Sequence, residues 1–392
     1  ALVIFQRSIE MAKEIKNNAP IAFAFKQMGM LYSEKGESVT SIKYLDSALA
    51  VYELMQEKAE IGNVYLNLGS ASISGGEFDK AMSYFLKAEN VAKSMNNINL
   101  IADVYIYKGD LYRIQGEYAK AKETFDSAYI FYRKIENPWA IANLSISYGN
   151  IYNVQGEYQL SIDNYKKADS IYAFMKNDYY RSTPLNNIGT VYFWQGDYEA
   201  ALPYFTKALS ILDSIKYHGD FRTTVLSNIG EVLYEQDKFA EAEKYMLMAV
   251  EHAKRNNAKA YLPTPYGLLA SINIDTKKYD EAEKWAKMAY DLSIELKDRS
   301  DILSSSLVLG RLNYIKNNIP LSNQFLNKSI ELSLELGTNK LIYHSYYFKA
   351  LNFQTEKQQD SSITYLKKAV TVLNDIRGKL VGGDKAAKLF QS

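Results

Sequence analysis

The sequence predicts an all-α chain of about nine helix-turn-helix units stacked into one solenoid, with a half unit ahead of them. Three observations carry this. Small residues recur every forty positions, a second glycine trails the first by seven residues in five of the units, and the seven prolines avoid positions that would fall mid-helix. Self-similarity at a fixed period of this length is the mark of a repeat architecture.

Gly29, Gly69, Gly109, Gly149 and Gly189 stand forty apart, and after one inserted residue the series continues as Gly230, Ala270, Gly310 and Ala350. Twelve positions after each comes another small residue, from Ser41, Ala81 and Ala121 through Ala201 and Ala242 to Ser322 and Ser362. Nineteen after comes a third, from Ala48 and Ala88 through Ala208 to Ser329 and Ala369. Bulky residues fill the spaces, among them Phe85, Phe125, Tyr165 and Phe205 at sixteen after. Their spacing keeps each set on one helical face. A glycine inside a helix costs up to about 1 kcal/mol against alanine. Gly189 and Ala201 are therefore expected where neighbouring helices approach too closely for a larger side chain.

The elements follow in order. Residues 1–20 read as the second helix of a preceding unit, with Phe5 and Ser8 in its aromatic and small positions. Without an initiator Met, the chain looks like a fragment that opens mid-helix. Each later unit places helix A around the first small residue and helix B around the other two. Gly36, Gly76, Gly116, Gly156 and Gly196 end helix A, where a left-handed residue favours glycine. The units run 21–60, 61–100, 101–140, 141–180, 181–220, 221–260, 261–300, 301–340 and 341–380. The last two are degenerate, since Asn317 and Lys357 replace the turn glycine. Pro20, Pro138, Pro184, Pro263 and Pro265 are placed between units or at the start of helix A, and Pro203 and Pro320 at the start of helix B, where a missing N–H is tolerated. Residues 381–392 begin a truncated following segment, in which Gly382 and Gly383 break the helix and Asp384 caps a new one running to Phe390. Such pairs cannot bury their apolar faces alone, so residues 1–380 are expected as a single quasi-linear array.

Composition narrows the function. The net charge is +1 over 392 residues, which offers no field for nucleic acid or an anionic membrane. With no cysteine, thiolate metal sites and cysteine nucleophiles are excluded. No apolar run approaches the roughly 18 residues of a membrane span. His218, His252 and His344 are scattered through the frame and none sits in an HExxH motif. No glycine-rich phosphate loop follows a strand, and Gly382-Gly383 reads as a turn. No catalytic residue, metal or cofactor is expected, and the 33 tyrosines call for an architecture with many half-buried rings.

These columns resemble the tetratricopeptide repeat family. Tyr65, Leu68, Gly69, Ala81, Phe85 and Ala88 match its pattern in one unit, and Ile188, Gly189, Tyr192, Ala201, Phe205 and Ala208 in another. The resemblance covers nearly the whole chain, with a period of 40 where the family usually has 34. It implies a right-handed superhelical solenoid whose A helices line a concave groove that holds a protein or an extended peptide. Ile376, Arg377, Leu380 and Phe390 further resemble the segment ahead of the catalytic domain in bacterial repeat proteins that carry a caspase-like CHAT protease. The resemblance implies a non-enzymatic recognition or regulatory module of a cytoplasmic bacterial signalling or defence protein. The alternative it leaves open is the regulatory half of an enzyme, such as that protease or a sensor kinase, in contact with a C-terminal effector domain.

Within helix A, positions six and two before the small residue and one and five after it share the face turned away from helix B. They are Asn63, Asn67, Ser70 and Ser74; Asp103, Tyr107, Asp110 and Ile114; Asn143, Ser147, Asn150 and Val154; Thr183, Asn187, Thr190 and Trp194; and Thr224, Asn228, Glu231 and Glu235. From this stripe the candidate partner-binding residues are Asn63, Asn67, Tyr107, Asp110, Asn143, Asn150, Asn187, Thr190, Trp194, Asn228 and Glu231. Asn67, Asn187 and Asn228 stand where several peptide-binding members of the family carry an asparagine. An amide donates to and accepts from a peptide backbone at once. Tyr107 and Trp194 would be anchors. A clamp for a chaperone's terminal carboxylate is rejected, because Met30, Asp103 and Tyr107 stand where the family needs an Asn, a Lys and an Arg.

Overall fold

The computed structural model describes residues 2–15, 17–338 and 341–380, and it is helical throughout, with no strand among the described residues. The chain divides into two compact units, residues 1–155 and 156–392. The tail at 381–392, with its expected cap at Asp384, lies outside the described residues; α19, the last helix, runs through Ile376 and Arg377.

The first unit holds α1 (Leu2–Glu14), α2 (Asn18–Glu34), α3 (Ser38–Met55), α4 (Lys58–Ser74), α5 (Phe78–Ser94), α6 (Ile98–Ile114), α7 (Tyr118–Lys134) and α8 (Pro138–Val154). The second holds α9 (Tyr158–Phe174), α10 (Asp178–Trp194), α11 (Tyr198–Ser214), α12 (Phe221–Glu235), α13 (Phe239–Arg255), α14 (Pro263–Asp275), α15 (Tyr279–Leu296), α16 (Arg299–Ile315), α17 (Ile319–Glu335), α18 (Ile342–Thr355) and α19 (Gln359–Leu380), with a single 3₁₀ turn (Lys259–Tyr261) ahead of α14. Even-numbered helices are the A helices and odd-numbered ones the B helices. Within each unit an A helix packs on the B helix that follows it, as α2 on α3, α6 on α7 and α10 on α11, and successive A helices also touch, from α2 to α8 in the first unit and from α10 to α18 in the second. The A helices therefore form the inner layer of each unit.

The glycine column has a specific tertiary partner. A Cβ built on Gly109 would lie 2.3 Å from Cε1 of Phe125, and one on Gly69 would lie 2.2 Å from Cε1 of Phe85. At Gly189 the corresponding contact to Phe205 is 2.8 Å. The bulky column sixteen residues on thus drops its ring into the hole left by the glycine, and Phe85, Phe125 and Phe205 are fully buried. At two of the next small positions the residue is a serine whose hydroxyl is satisfied across the same contact: Ser41 donates to the carbonyl of Gly29 at 2.7 Å and Ser322 to that of Gly310 at 2.8 Å.

The turns are more uniform than the letters suggest. Gly36, Gly76, Gly116, Gly156 and Gly196 have φ of 74–78°, and Asp237, Lys277, Asn317 and Lys357 adopt the same left-handed conformation without being glycine. A second series at the exit of helix B, including Gln56, Asn96, Glu136 and Lys176, is left-handed too. Two prolines depart from expectation. Pro184 and Pro203 lie inside α10 and α11 rather than in a first turn. Each removes one intrahelical bond, and at Pro203 the loss is on the exposed face, where water can serve the carbonyl of Glu199. The tyrosines find two uses. Rings nineteen residues apart pair across helices A and B, as in Tyr65 with Tyr84 at 6.2 Å, Tyr266 with Trp285 at 5.4 Å and Tyr346 with Tyr365 at 5.9 Å. Buried hydroxyls reach carboxylates, as Tyr132 donates to Asp103 at 2.5 Å.

Candidate functional site

The expected stripe lies on the inner helices of both units. In the first unit Asn63 and Asn67 (α4) are half-buried and make no side-chain hydrogen bond within the described residues. Tyr107 (α6) rests on Phe85 with ring centroids 5.7 Å apart, so it is largely packing. Burial, with Asp103 and Asp110 nearby, pushes its hydroxyl pKa up. Asp110 accepts from Arg113 of its own helix at 3.0 Å, and burial raises its carboxyl against that pairing. Asn143 and Asn150 (α8) are half-buried on the same face and already engaged.

In the second unit polar groups follow one another along the stripe as a ladder. Asn228 (α12) donates to the side-chain oxygen of Asn186 (α10) at 2.8 Å. The partner is thus the buried neighbour of Asn187; Asn187 itself is half-buried and makes no side-chain hydrogen bond among the described residues. Thr190 spends its hydroxyl on the carbonyl of Asn186 at 3.0 Å, so it is a lining residue rather than a free donor. Trp194 is 42% exposed and meets Phe193 edge-on at 5.2 Å.

Glu231 lies one turn from Glu235, and burial together with that second carboxyl raises its pKa to about 7. Burial also raises Glu235, which accepts from the hydroxyl of Tyr198 at 3.2 Å. On α18, burial first, then the charge of Glu235, lifts the Tyr343 hydroxyl to about 12.

Further along, Tyr234 donates to Asp275 at 2.7 Å, and Arg311 pairs with the other oxygen of that carboxylate. The Arg311 guanidinium lies 6.0 Å over the ring of Phe348, and Tyr314 packs on that ring at 5.9 Å. His344 lies tilted against Tyr343 with ring centroids 3.9 Å apart, and its Nδ1 is buried without a partner among the described residues. Burial, helped by Arg311, holds its pKa down to about 4.

Continuing the same four positions past unit six leads to Asp275, then Arg311, then His344 and Phe348. Those residues complete the ladder, and the register that found Asn228 would have found them. Tyr198 carried no such signal, because only the packing of α11 against α12 brings it to Glu235.

Among the described residues, no group of three His, Asp or Glu side chains could hold a metal ion, and no helix is long and apolar enough to cross a membrane. Nothing among curated proteins matches the chain. The tetratricopeptide repeat family model matches residues 62–94 and, in overlapping runs, residues 140–214, 180–255 and 221–295. Among solved structures, a Rap protein complexed with competence and sporulation factor is 14% identical, with a TM-score of 0.60 over 92% of this chain and 100% of that one. The apo form of the quorum sensor NprR from B. thuringiensis is 18% identical, with a TM-score of 0.60 over 86% and 97%. The Rap conjugation gene regulator of plasmid pLS20, in complex with the Phr* peptide, is 17% identical, with a TM-score of 0.58 over 93% and 99%. At these identities the likeness is one of fold. The forty-residue columns, the paired helices with their inner A layer and the matching family models agree: residues 62–94 and 140–295 are tetratricopeptide repeats.

Proposed function

We propose that the chain is a non-enzymatic scaffold that holds a protein segment or extended peptide along its inner helices and serves as the recognition or regulatory module of a larger bacterial signalling or defence protein. The observation that carries this is the ladder from Asn186 and Asn228 through Glu231, Tyr234 and Asp275 to Arg311 and Phe348. Amides at regular spacing can bridge the donors and acceptors of an extended backbone. Aromatic rings and a guanidinium beside them are the residue types that anchor bound chains. Two of the fold neighbours were solved with a bound factor or peptide, which favours peptide binding as a use of this fold. Asn63, Asn67, Asn143, Asn150, Asn187 and Trp194 would extend the contact along each unit, and a binding event would pass to whatever the chain contacts at its C-terminal end.

The test is a peptide array of extended five- to twelve-residue sequences probed with the labelled chain, followed by titration of the best binders. Asn228→Ala and Arg311→Ala should each weaken binding by about tenfold or more, the scale of one lost charged or amide contact. Unchanged binding in both variants, with loss on changing outer residues such as Lys207, would refute the reading.

A further inference from the structure

The joint between α17 and α18 is built differently from the joints before it. On each inner helix, the positions five before, one before and two after the small residue lie on one buried face. In α12 they are Val225, Ile229 and Val232; in α14 they are Pro265, Leu269 and Ile272; in α16 they are Ser305, Leu309 and Leu312. In α18 all three are polar: Ser345, Lys349 and Asn352. Five apolar side chains are buried on α12 (Val225, Leu226, Ile229, Val232, Leu233), and on α18 only Ile342 and Ala350 are.

The facing surface of α17 is polar in turn. Ser345 donates to Ser329 at 2.9 Å. Asn352 donates to Ser322 at 2.9 Å and to Asn323 at 3.0 Å. Lys349 is only 8% exposed; its ammonium donates to Asn327, pairs with no carboxylate among the described residues, and lies 5.3 Å over the ring of Tyr365 and 6.0 Å over that of Phe353. Burial and the nearby Lys368 push its pKa down. These bonds satisfy the seam while it is closed, and water can replace nearly all of them when it opens. Separating an apolar seam costs free energy in proportion to the hydrocarbon exposed. Separating a hydrogen-bonded one costs little net, because each bond is exchanged for one to water.

We propose that the α17–α18 joint is a hinge, across which the α18–α19 hairpin undocks from the rest of the second unit as one body. The hairpin is held internally by the Tyr346–Tyr365 and Phe353–Tyr365 ring pairs, so it can move without unfolding. It also carries Phe348, whose ring lies under the Arg311 guanidinium of α16 on the inner surface. Undocking therefore opens that wall of the ladder, and any ligand bridging α16 and α18 would close it. The hinge itself stands on the seam and does not depend on what the inner surface binds.

Native-state hydrogen exchange on the whole chain tests this. In the unmodified protein, α18 and α19 should exchange together, at least tenfold faster than α16 and α17. Lys349→Leu combined with Asn352→Leu should slow that block by tenfold or more toward the rate of α16. The chain has no cysteine, so Ser329→Cys with Ser345→Cys offers a clean staple: oxidation should slow exchange of both helices and reduction restore it, a readout that survives if the leucine variant misfolds. Exchange graded inward from Leu380 instead of as a block would overturn the proposal. So would a staple that protects α18 alone.

Discussion

Replacing Gly109 with alanine tests how the array is packed. The added Cβ would lie 2.3 Å from Cε1 and 2.5 Å from Cδ1 of Phe125. Ordinary contact between carbons is about 3.5–4.0 Å, so the ring must retreat by more than an ångström. Phe125 is fully buried and cannot swing away. Overpacking of this kind costs about 1–3 kcal/mol, and alanine's better helix propensity returns up to about 1 kcal/mol. The net expectation is a loss of about 1–2 kcal/mol. Gly230→Ala is the control. Its Cβ meets the terminal methyl of Met246 at 2.1 Å, and the next contacts are at 3.4 Å. An unbranched side chain can move its tip aside, so Gly230→Ala should be neutral or stabilising. Repeat arrays do not always unfold in one step, so the readout is local amide exchange, where about 1.4 kcal/mol is a factor of ten. Exchange in α6 and α7 should quicken by about tenfold in Gly109→Ala. Adding Phe125→Leu should recover part of the loss, giving a coupling energy of at least about 0.5 kcal/mol. If Gly109→Ala is as benign as Gly230→Ala, or if the two substitutions simply add, the ring-in-hole account is wrong.

Other outcomes follow from particular contacts. Lys297 closes α15 in the left-handed region at φ 57°; Lys297→Gly should raise stability by about 0.5–1 kcal/mol by removing the Cβ penalty, as read by thermal melting. Tyr132→Phe strands the half-buried Asp103 carboxylate and should cost about 1–3 kcal/mol by local exchange in α6. His344 is held down at about 4 against an ordinary 6.5. Its neutral form is the stable one, so that contribution is whole above pH 6.5 and is lost as pH falls to 4, at most about 3 kcal/mol; His344→Gln should flatten the acid limb of a stability–pH curve. Glu231 runs the other way: raised from 4.5 to about 7, it stabilises fully below pH 4.5, and that contribution is lost as pH rises through 7. Glu231→Gln should therefore raise stability by about 1–3 kcal/mol at pH 8 and leave it unchanged at pH 4.

What the sequence determined by itself was whatever repeats. A helix pair stacked many times must solve one packing problem at every joint. The glycine at each close approach, the ring sixteen residues later and the left-handed turn glycine therefore recur as columns that one chain displays against itself. The inner stripe, with Asn228 and Glu231 on it, was legible for the same reason. The tertiary structure alone decided what depends on departures from the period. Non-glycine residues such as Glu136 and Lys176 take the left-handed turn because the packed helices on either side leave the chain no other way to reverse, and their letters do not announce it. Asn228 chose Asn186 over Asn187 because the buried amide could reach across to the next inner helix. Tyr198 reaches Glu235, 37 residues on, only because α11 packs on α12. Ser345, Lys349 and Asn352 are unremarkable letters in a line; only when α18 is laid against α17 does a polar seam stand where its neighbours bury hydrocarbon. Periodicity records the interactions that every unit shares, whereas a site is made where units differ and meet in space.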